Sequence, residues 1–264
     1  MSSSVESLAP LRSKAEGYAQ VIRALMLRDM RTRFGGSHWG YAVIVMWPVA
    51  HVMVLVAVMG FRGGASPLGD SALLFVATGA VPVLMCQYIS NETMKALAQN
   101  RPLLYYPQVK IFDVMIARFI VEIVKGFTGL IIVLAILVAL GVDPSPDDTW
   151  VAVTGYLASI LLGIGLGAVN IGIVSFFPGW MIGYILVRVL LYITSGVFFL
   201  PNMMPEQIYS IMKWNPLTQI IEWVRVGYYA QLPVEVDYLY VLLWGGGSLM
   251  IGLIMERTLV RKMT

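Results

Sequence analysis

Arg188 sits in an apolar run from Trp180 to Leu200, with Tyr184, Tyr192, Ser195 and Phe199 around it at helical spacing. At about 100° per residue the five side chains fall within a wedge of roughly 80°, while Ile, Leu and Val fill the other faces. Aromatic faces stack on the C–H faces of sugars, and hydroxyl or guanidinium groups at their edges hydrogen-bond to sugar hydroxyls. The same stripe would also suit amphipathic drugs. An aromatic stripe at helical spacing is more often packing than a site. Packing does not explain a cation in the middle of an apolar segment, where charge is costly and marks a path or a partner.

A second charged group, Arg118, Glu122 and Lys125, opens another apolar run, with Glu122 three or four residues from each base. That spacing allows ion pairs along one helix. Two readings stay open: a self-neutralised turn whose bases snorkel to the interface, or a basic wall facing an anionic head group. Trp47, Pro48 and His51 share a further run, with Pro48 placed to kink it. His51 lies one turn after Trp47, and a packed, hydrogen-bonded histidine is the plainer reading than one lining a path. Ser159, Gly163 and Gly167 recur every four residues with Asn170 near the same face, a pattern for close helix approach. The sequence has no GxxxxGK[ST] phosphate loop, no HExxH, no GxSxG and no Cys/His metal spacing. A chain so equipped does not hydrolyse ATP by itself, so uphill transport would draw on an ion gradient or a separate subunit.

Membrane helices are what would position these residues. The 264 residues are 58% hydrophobic and only 12% charged, about half the charge of a soluble domain. This composition excludes a soluble enzyme, a disordered tail and a disulfide-stapled module, the last because Cys86 is the single cysteine. About 20 apolar residues span a bilayer. Six such spans are expected, at about 41–61, 72–90, 116–140, 151–177, 180–200 and 238–255. Residues 1–40 are too polar and the first run too long for a cleavable signal peptide, so that run is expected to stay as an anchor. Fourteen of the 18 Lys and Arg fall on one side, in the N-terminal segment, around 95–125 and in the tail. By the positive-inside rule both termini are then cytoplasmic, and the acidic stretch Asp143 to Asp148 is external.

Between the spans, residues 18–33 read as an amphipathic helix lying in the cytoplasmic interface. Tyr18, Val21, Ile22, Leu25, Met26 and Met30 form one half, and Gln20, Arg23, Arg28 and Arg31 the other. Such a helix can simply be drawn to anionic lipid. Asp29, however, breaks the apolar half and asks for a partner or ligand. The region 91–110 reads as a short helix, Glu92–Gln99, broken at Pro102 and Pro107. It is either a solvated loop or a docking knob for a soluble partner. Outside, 201–237 offers two short apolar helices around Trp214-Asn215-Pro216, too short to cross, that dip into the leaflet or cap a cavity.

These strings carry a resemblance. Leu27-Arg28-Asp29-Met30-Arg31-Thr32-Arg33-Phe34, with Gly40-Tyr41 and Trp47-Pro48, resembles the N-terminal approach of ABC-2 type permeases that export polysaccharides. Asn100-Arg101-Pro102-Leu103-Leu104-Tyr105-Tyr106-Pro107-Gln108-Val109-Lys110, followed by Ala117-Arg118 and Glu122, resembles their loop between spans two and three. Trp214-Asn215-Pro216-Leu217, with Glu222 and Arg225, resembles their external segment. Ile111 departs from the pattern, since these permeases commonly carry proline there. The likeness covers nearly the whole chain and is nearest to the inner-membrane permease of capsular polysaccharide exporters, with O-antigen and teichoic acid permeases close by.

The resemblance implies an all-α membrane protein: an N-terminal segment, 1–40, with an interface helix, then an ABC-2 transmembrane domain, 41–264, of six transmembrane helices. Two short re-entrant periplasmic gate helices within 201–237 precede the last span. It implies a homodimer served by two copies of a separate ABC ATPase subunit, which would bind ATP and Mg while this chain binds no cofactor. It also implies a bacterial inner-membrane location, periplasmic and outer-membrane capsule-export components as further partners, and no nucleic acid. The cargo would be a lipid-linked, usually acidic polysaccharide. Expected substrate contacts are Arg31, Arg33, Trp47, Arg118, Lys125, Tyr184, Arg188 and Tyr192. Tyr209, Trp214 and Trp223 would form the periplasmic gate, and Glu92, Lys95, Asn100 and Arg101 the ATPase-coupling element. No residue is expected to be catalytic or to bind a metal. The competing readings are an ABC-2 drug or lipid exporter and a non-conducting scaffold for polysaccharide synthesis.

Overall fold

The computed structural model describes residues 9–33, 38–61, 66–106 and 109–258, and every regular element among them is helical. In chain order these are α1 (Ala9–Arg33), α2 (His38–Phe61), α3 (Ala72–Asn100), a 3-10 turn (Arg101–Tyr105), α4 (Ile111–Ala139), α5 (Thr149–Phe176), α6 (Trp180–Ile193), a 3-10 turn (Pro201–Met203), α7 (Glu206–Met212), α8 (Pro216–Tyr228) and α9 (Tyr238–Thr258). Four of the described helices, α3, α4, α5 and α9, are long and apolar enough to cross a membrane. Two shorter apolar helical runs, Val45–Phe61 and Trp180–Ile193, accompany them.

Local chemistry sets several boundaries. Ser71 caps α3, its Oγ accepting from the Leu74 N–H, and Asp148 caps α5, its Oδ1 accepting from the Trp150 and Val151 N–H groups at 2.9 and 3.1 Å. At the start of α8, Asn215 Oδ1 accepts from the Leu217 N–H and Pro216 takes the first helical position, where its missing N–H costs nothing.

Helix α5 is the central post. A Cβ on Gly163 would come within 2.9 Å of the Cys86 carbonyl and one on Gly167 within 2.6 Å of Thr93, so this glycine face lets α3 lie against it. Ser159, on the same face, donates to the Pro82 carbonyl at 2.5 Å. Two residues round, Gly165 meets the Gly245 carbonyl and Ser248, which seats α9 on the opposite side. Small residues thus do for α5 what apolar side chains do in a soluble core: they bring backbones close enough for dispersion to hold them where lipid supplies no hydrophobic drive.

Three elements differ from the sequence expectation. Helix α1 starts at Ala9, well before residue 18. Helix α3 does not stop near Ser90 but runs unbroken to Asn100, so Glu92–Gln99 is its last two turns rather than a separate helix. No Gly or Pro interrupts residues 83–101, and Thr93, Met94 and Ala96 bury one face of the extension, which its polar residues had disguised. The fifth apolar run is helical only to Ile193. Beyond it the chain turns, with Gly196 at φ 87°, so Ser195 and Phe199 do not continue the stripe.

The turn after α6 is held from afar. Asn215 Nδ2 donates to the Leu191 carbonyl and to Thr194 Oγ1, both at 2.8 Å, and Thr218 donates to the Thr194 carbonyl at 3.1 Å. Fully buried Arg225 donates to the carbonyls of Gly196, Val197 and Phe199 at 2.9, 3.0 and 3.2 Å and to Phe75 at 3.3 Å, with its guanidinium 3.9 Å from the Phe75 ring centre. Of the carbonyls that close α6, those of Leu190 and Tyr192 accept from Thr194 and Ser195 just past the helix and that of Leu191 from Asn215, while Arg225 holds the turn that follows.

Candidate functional site

The first group of predicted residues meets where α1 crosses α3 and α4. Ile22 and Leu25 of α1 pack on Ala96, Val114 and Ala117, which brings Asp29 over Arg118. Arg118, only 1% exposed, is 2.7 Å from Asp29 Oδ1, donates to Gln99 Oε1 at 2.8 Å, and lies 3.9 Å from Glu92 Oε2. Glu92 also holds Lys95 at 2.8 Å. Asp29 therefore has its partner within the chain, and Arg118 is bonded into α1 and α3 rather than standing as an open basic wall. Lys125 is likewise ion-paired with Glu122, one helical turn away. Arg31 is exposed on α1; Arg33 ends that helix, and its side chain lies outside the described ones. Of the expected coupling residues, Asn100 is buried and donates to the Ala96 carbonyl at 2.9 Å, whereas Arg101 is exposed at the start of the 3-10 turn.

The second group lies along α6. Tyr184 is the one buried side chain of that helix and shares a 2.7 Å hydrogen bond with Ser90 of α3. Arg188 is held through its backbone, the carbonyl accepting from Gln87 Nε2 at 2.9 Å, while its guanidinium Nε has no hydrogen-bond partner. Tyr192 Oη likewise has none, and its ring stands 6.4 Å from that of His51 on α2. His51 Nδ1 is 3.4 Å from Tyr88 Oη, and Lys125 Nζ is 5.9 Å from the Tyr88 ring centre. Trp47, one turn before His51, is 66% exposed. Tyr184, Arg188 and Tyr192 thus remain together, near His51, and α3 and α4 add Tyr88 and Lys125 to the patch. Sequence reasoning missed Gln87 and Tyr88; two polar residues inside an otherwise apolar run were the signal available.

At the other end a cavity of about 650 Å³ opens beside α7 and α8, walled by Tyr209, Trp214, Tyr240 and Lys213, with Gln219 and Asp237 at its edge. Tyr209 and Trp214 come together there. Trp223 does not line it: it is buried, donating from Nε1 to Thr154 Oγ1 at 3.1 Å with its ring edge-on to Tyr238. Tyr240, which donates to the Trp214 carbonyl at 2.6 Å, takes the aromatic place expected of it. One turn from Arg225, Glu222 is buried and neither of its carboxylate oxygens accepts a hydrogen bond. Burial pushes its carboxyl up to about 7, against the pull of Arg225 and Lys213. Among the described residues, no group of three or more His, Cys, Asp or Glu converges on a metal-sized site.

Such an arrangement suits passage: a half-buried cation among aromatic rings on an apolar helix, and a second aromatic cavity at the far end. Comparison with known proteins points the same way. Residues 20–229 match the family model for the ABC-2 type transporter. The chain is 28% identical to the polysialic acid transport protein KpsM of Escherichia coli, over 94% of this chain and 96% of that protein. It is 28% identical to the capsule polysaccharide export inner-membrane protein CtrC of Neisseria meningitidis serogroup B, over 80% of this chain and 79% of that one. With the capsule polysaccharide export inner-membrane protein BexB of Haemophilus influenzae it shares 25% over 90% of each. The chain belongs to the ABC-2 type transporter membrane family.

Proposed function

We propose that this ABC-2 family member is the inner-membrane permease subunit of an ATP-driven exporter that moves a lipid-linked, acidic capsular polysaccharide from cytoplasm to periplasm. The relatives' names supply the class of cargo. The observation in this chain that carries the reading is the α6 patch. Arg188 and Tyr192 stand half-buried in an apolar helix, Arg188 Nε and Tyr192 Oη lie inside the chain without a hydrogen-bond partner, and the tyrosine ring faces His51, one turn from an exposed Trp47. A cation and a tyrosine in an apolar helix are costly there and mark a path or a partner. A polymer of hydroxyls and carboxylates passing along this helix is such a partner.

In this reading the chain crosses the membrane six times, with α2 and α6 adding to the four longer helices, and both termini are cytoplasmic. Arg31 and Arg33 are the first cations an anionic head group meets, while Arg118 and Lys125, held by Asp29 and Glu122, brace the portal from within. The polymer then passes Trp47, Tyr184, Arg188 and Tyr192 and leaves by the aromatic cavity at Tyr209 and Trp214, with Trp223 fixing the gate helix behind it. Two copies enclose the path. Two copies of a separate ATPase subunit bind ATP and Mg and press on the end of α3 at Glu92, Lys95, Asn100 and Arg101. This chain supplies no hydrolytic chemistry of its own.

The test is to delete the gene, complement it, and locate the polymer by fractionation and surface labelling. Export stands if polymer accumulates in the cytoplasm of the deletion strain and if Arg188→Ala with Tyr192→Ala, at normal protein level, lowers surface polymer at least tenfold, the scale of two lost charged or polar contacts. Unchanged surface polymer in the deletion strain would move the cargo to a drug or lipid. Full export by the double variant would make the patch packing.

A further inference from the structure

Glu222 is 1% exposed on α8, and neither of its carboxylate oxygens accepts a hydrogen bond. Two cations carry charge to it, and neither is bonded to it. Arg225, one turn on, gives its guanidinium to four backbone carbonyls. Lys213, at the end of α7, lies over the Tyr209 ring, its ammonium 4.3 Å from the centre. The start of α3 and the turn after α6 bring backbone carbonyls and the Phe75 ring to Arg225 but no ionisable side chain, and Tyr156 of α5 is bonded to Tyr228. Glu206 and Tyr209 on α7, with Glu235 before α9, add acidic groups to the same corner. A carboxyl so placed keeps its proton while it is covered, because only hydration could carry its charge.

Helix α8 does not move aside easily to admit water, since twelve of its thirteen residues are buried, with Gly227 against Ala152 and Val224 against Gly155 of α5. Helix α7 is fastened far less. It is seven residues long, buries only Met212, and is set off by Pro205 on one side and Asn215-Pro216 on the other. Its Tyr209 and Lys213 also form a wall of the 650 Å³ cavity, which Gln219, Glu235 and Asp237 make polar. Tyr209 and Glu222 are close enough to feel each other's charge, so the carboxylate stands behind that wall. We propose that α7 is a lid that lies down while Glu222 is protonated and lifts to let water reach it when it ionises. Covering the group raises its affinity for a proton, so the closed form is fully favoured below the ordinary carboxylate value and loses that advantage as pH rises. The lid rests on the external placement of α7 in the reading above, and not on the cargo.

Thiol labelling of the purified full chain in lipid nanodiscs tests it without any cargo, because the single native cysteine, Cys86, is buried. Met212→Cys, under the lid, reacts with a water-soluble maleimide only when α7 lifts, and Ser210→Cys, exposed on α7, corrects for the thiol's own response to pH. With the Glu222 carboxyl at about 7 when covered and near 4.5 when wet, the ratio of the two rates should rise about tenfold from pH 6 to pH 8. Glu222→Gln should leave the ratio flat. A flat ratio with Glu222 present, or an undiminished rise in the glutamine variant, overturns the proposal. So does a ratio that falls with pH, which would mean that the ionised carboxylate draws Lys213 in and holds α7 down. Hydrogen exchange over residues 206–213, corrected for its intrinsic pH dependence, reads the same opening with Met212 in place; it should show the same rise, lost in Glu222→Gln, and protection unchanged with pH would again overturn the lid. Because export is read in cells and lid opening on purified protein, either reading can fail without the other.

Discussion

Arg225 shows how much one buried cation can organise when carbonyls rather than carboxylates receive it. Its guanidinium serves four backbone oxygens from two separate stretches of chain and lies over the Phe75 ring. Removing it strands buried carbonyls and leaves a cavity, so Arg225→Ala should cost about 3–5 kcal/mol. Arg225→Lys should restore little, because an ammonium cannot fork among oxygens so spaced. Thermal melting of the detergent-solubilised variants reads this directly; a lysine variant melting with wild type would refute the clamp. Glu222, three residues earlier, behaves in the opposite sense. Its carboxyl is raised from the ordinary 4.5 to about 7 by burial, so the folded state holds its proton where the unfolded chain has lost it. Stability is then fully present below about 4.5, falls as pH rises through the window from there to 7, and levels off above it, a loss on the order of 3 kcal/mol. Glu222→Gln should flatten that part of the melting-against-pH curve and raise the melting temperature at pH 7.5. A wild-type melting temperature that climbs between pH 5 and 7.5 would mean that Glu222 is not the governing group.

Between elements, the join of α1 to the bundle rests on Asp29, Arg118 and Gln99 at the edge of a small apolar cluster. Breaking a buried pair costs more than forming it yields, since the survivor keeps its desolvation penalty, so Arg118→Ala should release α1 at a cost of about 3–5 kcal/mol. Hydrogen exchange along residues 18–33 should speed up at least tenfold while α5 is unchanged; uniform protection would show that the apolar contacts suffice. The sequence posed this join as a question, because Asp29 interrupts an otherwise apolar face, but the answer lies 89 positions away. Apolar length made the long helices legible, and four-residue spacing made the Ser159–Gly163–Gly167 contact legible, since both are local. The end of α6 was not legible: the turn that follows it is held by Asn215, Thr218 and Arg225 from more than 20 residues downstream, and nothing near Ile193 announces it. The extension of α3 was hidden for a related reason: the polar residues at 91–99 suggested a separate short helix outside the membrane, whereas Glu92 and Gln99 meet Arg118 of α4 and Thr93 meets Gly167 of α5. Of the candidate site, the Tyr184, Arg188 and Tyr192 line was readable from helical spacing. Tyr88 reaches the patch from α3, by packing that spacing does not encode.

At the scale of the molecule, α6 sets the problem that a second copy would solve. Of its fourteen residues only Tyr184 is buried, and Ile182, Leu186, Leu190 and Ile193 are all more than half exposed. Exposed apolar residues alone would suit lipid, as they do on α9, where Leu239, Leu243 and Met250 face outward. The difference is that α6 also carries Arg188 and Tyr192, both half-buried, the tyrosine ring facing His51 of α2 one turn from an exposed Trp47. Presented to hydrocarbon, that mixture would cost several kcal/mol; closed against the same face of a second chain around water and sugar, it would not. Disulfide trapping can decide this, because Cys86 is the single cysteine and is buried. In membranes, Trp47→Cys or Leu186→Cys should cross-link into a covalent dimer on mild oxidation, and Leu243→Cys on α9 should stay monomeric on a gel. The reverse pattern would place the pairing face on α9 and leave the α6 patch to lipid, where its polar groups have no physical reason to be.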